Sequence, residues 1–255
     1  MKKKIVVKLG SSSLTDGGTF LSRSRMVDFV QQLTHLHKEG HEVVLVSSGA
    51  IAAAREDLPT EKGTSIPTKQ MLASIGQVRL MHTWAELFAL YKVVIGQVLL
   101  TQHDFSDETS VCHAQDTFNT LLSHHVLPIV NENDTTATEE ICFGDNDILS
   151  ALVARSIKAD LLILLTDQEG FFTADPRHDP QAELIETIHE IDETVAKYAH
   201  KAHPDGVGSG GMVTKLEAAN FATQNGTATV IASSKTPNVM VDLVAGKKIG
   251  TFFTA

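Results

Sequence analysis

Two lysines stand beside glycine- and hydroxyl-rich segments at opposite ends of the 255-residue chain, and both are placed for anion chemistry. Lys8 closes a short apolar run and is followed by Leu9-Gly10-Ser11-Ser12-Ser13. Glycine lets the backbone approach a ligand closely, and hydroxyls with the N–H groups of a following turn or helix bind anions. A lysine at a strand end can instead snorkel to solvent. Just ahead of Gly10-Ser11-Ser12, however, charge and donors converge, which favours a phosphate contact. Lys215 ends the segment Gly206-Val207-Gly208-Ser209-Gly210-Gly211-Met212-Val213-Thr214-Lys215. Its G-x-G-x-x-G spacing lies late in the chain behind a polar loop, so it is no dinucleotide fingerprint, which belongs after the first strand. A glycine-rich loop that opens a helix with a lysine in its first turn is nonetheless a cradle for nucleotide phosphates; the competing reading is a surface loop with a solvated lysine. One cation for each side of a moving phosphoryl group is what transfer between two anions requires.

Other polar segments follow apolar runs in the same way: Ser47-Ser48-Gly49-Ala50, Asn131-Glu132-Asn133-Asp134 and Thr166-Asp167. Gly144-Asp145-Asn146-Asp147 opens a helical stretch. Asp145 there suits an N-cap. Asp147 could orient the flanking lysines by ion pairing, while Asn146 and Asp134 offer donor and acceptor groups for an amino-acid-like ligand. These carboxylates suit the holding of ammonium groups and Mg²⁺ waters better than base catalysis, because a carboxylate nucleophile needs no deprotonation. The Walker spacing G-x-x-x-x-G-K-[ST] and the protein-kinase H-R-D and D-F-G motifs are absent, so a kinase of this sequence is of another kind. The pairs His35/His37, His124/His125 and His200/His203 read as solvated helix faces and not as a metal site. Trp84 with Leu80, Leu87 and Phe88 reads as the core face of a helix.

The elements that must position these residues alternate along the chain. Ile5–Leu9, Val43–Val46, Val93–Leu100, Val126–Val130, Leu161–Leu165, Thr229–Ala232 and Ile249–Phe253 are short apolar runs expected as strands, mostly covered on both faces. Ser22–Glu39, Thr68–Leu90, Val111–His125, Asn146–Ile157, Met212–Asn225 and Asn238–Val244 have helical spacing. Glu39-Gly40 and Asn225-Gly226 stop helices, and Pro67 and Pro237 precede helix starts. Pro59–Pro67 and Lys201–Gly211 read as loops, and Thr136–Phe143 as an edge strand or hairpin. The repeated β-α pattern predicts an α/β fold: a three-layer α/β/α sandwich with a mainly parallel central sheet. Residues 1–255 are expected to form a single domain with a soft division near residue 150. In such sheets ligands bind beyond the carboxyl ends of the strands, where all the polar segments fall.

Composition narrows the function. Lys+Arg number 21 against 31 Asp+Glu, a formal charge of −10, which argues against nucleic acid as a partner, since phosphate-backbone affinity comes from clustered Lys and Arg. Any phosphate site must be local. Cys112 and Cys142 form neither a metal spacing nor a disulfide framework, which fits a reducing cytoplasm. No signal peptide is read at the N-terminus, and no apolar run approaches the ~20 residues needed to cross a bilayer, so no membrane partner is expected.

Six segments, in this order, resemble the amino-acid kinase family: Lys8-Leu9-Gly10-Ser11-Ser12, Val46-Ser47-Ser48-Gly49-Ala50-Ile51, Leu72-Ala73-Ser74-Ile75-Gly76-Gln77, Asn131-Glu132-Asn133-Asp134, Gly144-Asp145-Asn146-Asp147 and Gly208-Ser209-Gly210-Gly211-Met212-Val213-Thr214-Lys215. The likeness runs from Lys4 to about Phe253 and is strongest to the branch that phosphorylates the γ-carboxylate of L-glutamate. That resemblance implies ATP and Mg²⁺ as cofactors, L-glutamyl 5-phosphate as product, and a place at the first step of proline biosynthesis. It implies that Lys8 and Lys215 stabilise the phosphoryl group in flight and that Asp147 holds them. Ser48, Asp134 and Asn146 would bind glutamate, with Gly49, Ala50, Asn133 and Asp145 beside them. Lys8, Gly10, Ser11, Thr166, Asp167 and the loop Ser209, Gly210, Gly211, Met212, Val213, Thr214 and Lys215 would hold ATP. No residue is assigned as a direct metal ligand. Residues up to about 150 would serve glutamate, and 151–255 ATP. Further implications are proline as a feedback inhibitor, a homo-oligomer (dimer or tetramer), and hand-off to glutamyl phosphate reductase. Ser11, Ser47 and Ser209 stand where the family often has Thr, and all keep the hydroxyl. Many relatives carry a C-terminal PUA domain, and none is expected here. Members acting on N-acetylglutamate, carbamate, a nucleoside monophosphate or isopentenyl phosphate, and a non-catalytic amino-acid sensor on the same fold, are the alternatives. A phosphate substrate would want extra Arg, and retention of both lysines speaks against a sensor.

Overall fold

The apolar runs become strands of one sheet, eight-stranded among the described residues. The computed structural model describes residues 1–58, 65–137, 146–201 and 211–255, the side chains at 200 and 201 excepted. The strands are β1 (Lys4–Leu9), β2 (Glu42–Ser47), β3 (Ile95–Leu100), β4 (Leu127–Glu132), β5 (Leu161–Thr166), β6 (Thr187–Ile188), β7 (Ala228–Ser233) and β8 (Thr251–Phe253). Among the described residues the helices are α1 (Ser11–Thr15), α2 (Arg23–Lys38), α3 (Ala50–Ala54), α4 (Ile66–Ala89), α5 (Glu108–Ser123), α6 (Asn146–Ile157), α7 (Glu193–Lys201), α8 (Met212–Gln224) and α9 (Val239–Val244), with a 3₁₀ turn at Gln102–Phe105.

The strand order is β3-β4-β2-β1-β5-β7-β8-β6. Every pairing from β3 across to β7 is parallel, and β8, with β6 parallel to it, runs antiparallel to β7. The mainly parallel three-layer sandwich expected from the β-α pattern is therefore present. Alternation along each strand divides the core. Val6, Val44, Val46, Leu162 and Leu164 face a layer built from α5, α6 and α8. Ile5, Val7, Leu9, Leu45, Ile163 and Leu165 face the layer of α2, α4 and α9. Phe29, Trp84 and Phe118 are completely buried between sheet and helices, and each such side chain contributes about 1.5–3 kcal/mol by leaving water. Trp84 is the core residue its spacing predicts; its Nε1 also donates to Ser47 Oγ at 3.1 Å, so the buried indole keeps a hydrogen bond.

Several boundaries differ from the sequence reading. β4 runs past Val130 to include Asn131 and Glu132, polar residues buried inside the sheet. β3 begins at Ile95 and β8 at Thr251, later than the apolar runs suggest. The segments after β1 and β2 are short helices, α1 and α3, and α7 and β6 appear where no element is expected. His37 is half-buried, and burial, reinforced by the neighbouring His125, lowers its pKa, so it departs from a fully solvated face. The expected edge strand or hairpin at Thr136–Phe143 lies mostly outside the described residues, as do His203 and the proposed cap Asp145. Among the described residues no helix is long and apolar enough to cross a membrane.

Because β1, β2, β4 and β5 are parallel, their carboxyl ends open on one side. Two glycines tighten that rim. Gly49, at φ +105°, caps the start of α3 in a conformation that side chains resist. Gly76 presses α4 onto α3: a Cβ there would stand 1.7 Å from the Ala50 carbonyl oxygen.

Candidate active site

At the carboxyl end of β1, Lys8 leaves the sheet only 3% exposed. Its ammonium lies across the loop at Gly10, 3.6 Å from where a Cβ would stand. Asp147, in the first turn of α6, is completely buried and pairs through Oδ1 with Lys8 Nζ. Its Oδ2 receives Lys215 Nζ at 2.9 Å, and Lys215 is itself only 5% exposed. Thr214 Oγ1 donates to the same oxygen at 3.2 Å. One carboxylate thus brings together two ammonium groups from opposite ends of the chain. Buried charges need such partners, since the cost of taking them from water is several kcal/mol per ion.

α8 delivers Lys215 in the manner its sequence suggests. Gly211 caps the helix, and Thr214 Oγ1 and the Lys215 N–H return to the Gly211 carbonyl at 2.8 and 3.3 Å. Met212, Val213, Thr214 and Lys215 therefore form one helical turn leading to Asp147. Ser209 and Gly210 lie outside the described residues.

Asn146, the neighbour of Asp147, organises a second cluster. Its Nδ2 donates to Ser48 Oγ and to Asn131 Oδ1, both at 2.9 Å, and its Oδ1 accepts from the Glu132 N–H at 3.2 Å. Asn131 Nδ2 donates in turn to Gln77 Oε1 at 2.7 Å. Ser48, Gly49 and Ala50 form the turn from β2 into α3, tied back by the Ser48 N–H to the Leu9 carbonyl at 3.0 Å. Asn133 and Asp134 stand half-buried in the turn after β4. Cationic and amide clusters are adjacent because Asn146 and Asp147 are adjacent.

Thr166 and Asp167 end β5. Thr166 Oγ1 donates to Asp167 at 3.1 Å, and the Thr166 carbonyl accepts from the Ser234 N–H at 2.7 Å. Gly10 and Ser11 open α1 on the same rim.

Four residues receive no role of their own in the sequence reading. Asn131 and Gln77 lie in segments it singles out, Asn131-Glu132-Asn133-Asp134 and Leu72–Gln77, yet nothing in either shows that the two amides meet, because a buried polar pair leaves no periodic trace. Asp175 and Arg177 are the other two. Arg177 grips buried Asp175 through Nε and Nη2 at 3.0 and 2.8 Å, and this contact holds the carboxyl down at about 2. The Arg177 pKa is raised, first by Asp175 and also by Asp167, so the guanidinium stands within the field of the rim carboxylate after β5. The Asp-Pro-Arg turn that forms it was a readable signal.

The amino acid kinase family profile matches residues 3–233. Proteins named glutamate 5-kinase from Salmonella newport (strain SL254) and Salmonella enteritidis PT4 (strain P125109) are each 48% identical over 252 residues, covering 98% of this chain and 68% of theirs. A crystal structure of UMP kinase from Bacillus anthracis superposes with a TM-score of 0.64, covering 99% of this chain and 96% of that one at 14% identity. At that identity the likeness speaks for the fold alone.

Proposed function

This chain belongs to the amino acid kinase family, and we propose that it catalyses ATP-dependent phosphorylation of the γ-carboxylate of L-glutamate to L-glutamyl 5-phosphate, as glutamate 5-kinases do. The observation that carries the reading is the pair Lys8 and Lys215 on the two oxygens of Asp147, set beside the Ser48–Asn146–Asn131 amide cluster. A carboxylate oxygen of glutamate attacks the γ-phosphorus of ATP, an O–P bond forms, the bond to the bridging oxygen breaks, and ADP departs with that electron pair. The nucleophile is already ionised, so no base is needed.

The obstacle is repulsion, since a carboxylate and a triphosphate are both anions. Lys8 and Lys215 offset it, one from the acceptor-side strand and one from the nucleotide-side helix. Preorganised cations of this kind cost no reorganisation when charge shifts in the transition state. Asp147 serves as their counter-ion: it keeps two buried ammonium groups together and fixes both side chains. The glutamate side draws on Ser48, Gly49, Ala50, Asn133, Asp134, Asp145 and Asn146. ATP is held by Gly10, Ser11, Thr166, Asp167 and the segment from Ser209 to Lys215. In this reading residues to about 150 serve the acceptor and 151–255 the nucleotide, within one domain.

Mg²⁺ would add charge neutralisation on the nucleotide phosphates. Both Asp147 oxygens face lysines. That donor set fits an ion carried chiefly by the phosphates, as Mg²⁺ commonly is. The resemblance of the six segments also supports proline as a feedback inhibitor, a homo-oligomeric assembly, a cytoplasmic location and hand-off of the acyl phosphate to glutamyl phosphate reductase.

The test is ADP release from Mg-ATP with L-glutamate, N-acetylglutamate, aspartate and UMP in parallel, with hydroxylamine trapping any acyl phosphate as a hydroxamate. Release and hydroxamate with L-glutamate alone are expected. No turnover of glutamate, or faster turnover of UMP, would reject the assignment.

A further inference from the structure

A single backbone N–H dictates how three side-chain amides face. An amide has a donor end and an acceptor end, so each hydrogen bond in a chain of amides constrains the next. The Glu132 N–H, fixed in β4, requires an acceptor, and Asn146 presents Oδ1 to it at 3.2 Å. The Asn146 NH₂ must then face Ser48 and Asn131, and Asn131 must present Oδ1. The Asn131 NH₂ is left pointing at α4, where Gln77 Oε1 accepts it at 2.7 Å. Ser48 Oγ, having accepted from Asn146, keeps its own O–H to donate. The relay therefore ends in donors, and Gln77 Nε2 is a buried donor with no partner among the described residues. Asn131 and Asn146 are 3% and 6% exposed, so water does not compete for these bonds, and in a low-dielectric site such bonds strengthen one another. Gln77 reaches this position because Gly76 allows α4 to close on the Ala50 carbonyl.

We infer that Gln77 is a positioning residue which, through Asn131 and Asn146, holds the Ser48 hydroxyl as a donor to a carboxylate of the acceptor substrate. The inference rests on the glutamate-site reading above. Without the Gln77 acceptor, the Asn131 NH₂ is buried unpaired, and nothing holds Asn131 with its Oδ1 toward Asn146. Asn146, still fixed through Oδ1 by the Glu132 N–H, loses the acceptor that sets the aim of its NH₂, and the Ser48 hydroxyl is no longer held in place.

The experiment measures KM for L-glutamate and for ATP, with thermal melting, in the full chain. Gln77→Met should raise the glutamate KM at least fivefold and leave the ATP KM within twofold. Gln77→Ala, equally suited to a helix, serves the same comparison should Met fit poorly. Asn131→Ala should cost at least as much. In the double variant Gln77→Met/Asn131→Ala the glutamate KM should match that of Asn131→Ala alone, because a residue acting only through Asn131 has nothing further to lose. Penalties that multiply in the double variant, an ATP KM that rises in step, or a native glutamate KM in Gln77→Met would each defeat the inference. Ser48→Ala separates the two levels. It should raise the glutamate KM at least tenfold. If it does and Gln77→Met does not, the relay alone is wrong; if Ser48→Ala leaves the glutamate KM unchanged, the glutamate-site reading falls and takes the relay with it.

Discussion

Lys8 and Lys215 converge on opposite oxygens of one buried carboxylate, although one lies near the end of the first strand and the other in the first turn of a late helix. Neither lysine could be so deeply buried beside the other without Asp147 between them. Charge and counter-charge are therefore parts of one device.

Removal of either lysine should strike turnover. Lys8→Ala and Lys215→Ala are each expected to lower kcat by about 10²–10³-fold, the scale seen when one preorganised donor is removed from a developing charge. Each should retain a cooperative melt, because the remaining lysine still neutralises Asp147. Steady-state kinetics with circular dichroism decide it; native-like kcat in either variant ends its proposed role.

Asp147→Asn should damage stability as well as rate. It leaves two buried ammonium groups without a full counter-ion, and breaking a buried pair in this way costs about 3–5 kcal/mol. For a chain of this size the melting temperature should fall by roughly 6–20 °C. A melt unchanged from native would show that the two lysines do not depend on this carboxylate.

Gly76→Ala tests the rim's packing. The added Cβ meets the Ala50 carbonyl at 1.7 Å, a backbone atom that cannot swing away, so α4 must move off α3. Overpacking of this kind costs about 3 kcal/mol or more, or a melting temperature lowered by roughly 6–12 °C. Since Gln77 rides on the same turn, the glutamate KM should rise alongside. A stable variant with a native KM would contradict the close approach.

Asp175 gives the chain an acid-sensitive anchor. Contact with Arg177 depresses its pKa from 3.8 to about 2. A depressed carboxyl stabilises the fold fully above the unfolded value and loses that contribution as pH falls toward the folded one. The gap in melting temperature between the native chain and Asp175→Asn should thus be open at pH 6 and narrow between pH 4 and pH 2. A gap independent of pH across that window would rule out the ion pair as its source.

Most of the sheet is legible in the sequence because strands covered on both faces must be apolar throughout, as Val6-Val7 and Leu161–Leu165 are. The lysines are legible for the opposite reason: Lys8 interrupts an apolar run two residues before Gly10, where nothing in a core would require it. Asp147 could be proposed as their partner, but only the fold shows that both reach it. What remains hidden is polar burial between distant segments. Asn131 continues β4 after hydropathy says the strand has ended, since its partner is an amide on α4 and not solvent. Likewise α1 and α3, five residues each, are too short to show a period and form only because the rim packs them.

The place of β1 between β2 and β5 has a consequence for how the chain is made. During synthesis residues 1–137 can assemble β3, β4, β2 and β1 in order, yet β1 then presents Ile5, Val6 and Val7 along a bare edge until residues 161–166 emerge. An unpaired, wholly apolar edge invites pairing with another chain. The nascent chain is therefore open to misassembly until β5 appears, and β5, apolar from Leu161 to Leu165, is in its turn the bare edge until residues 228–233 emerge.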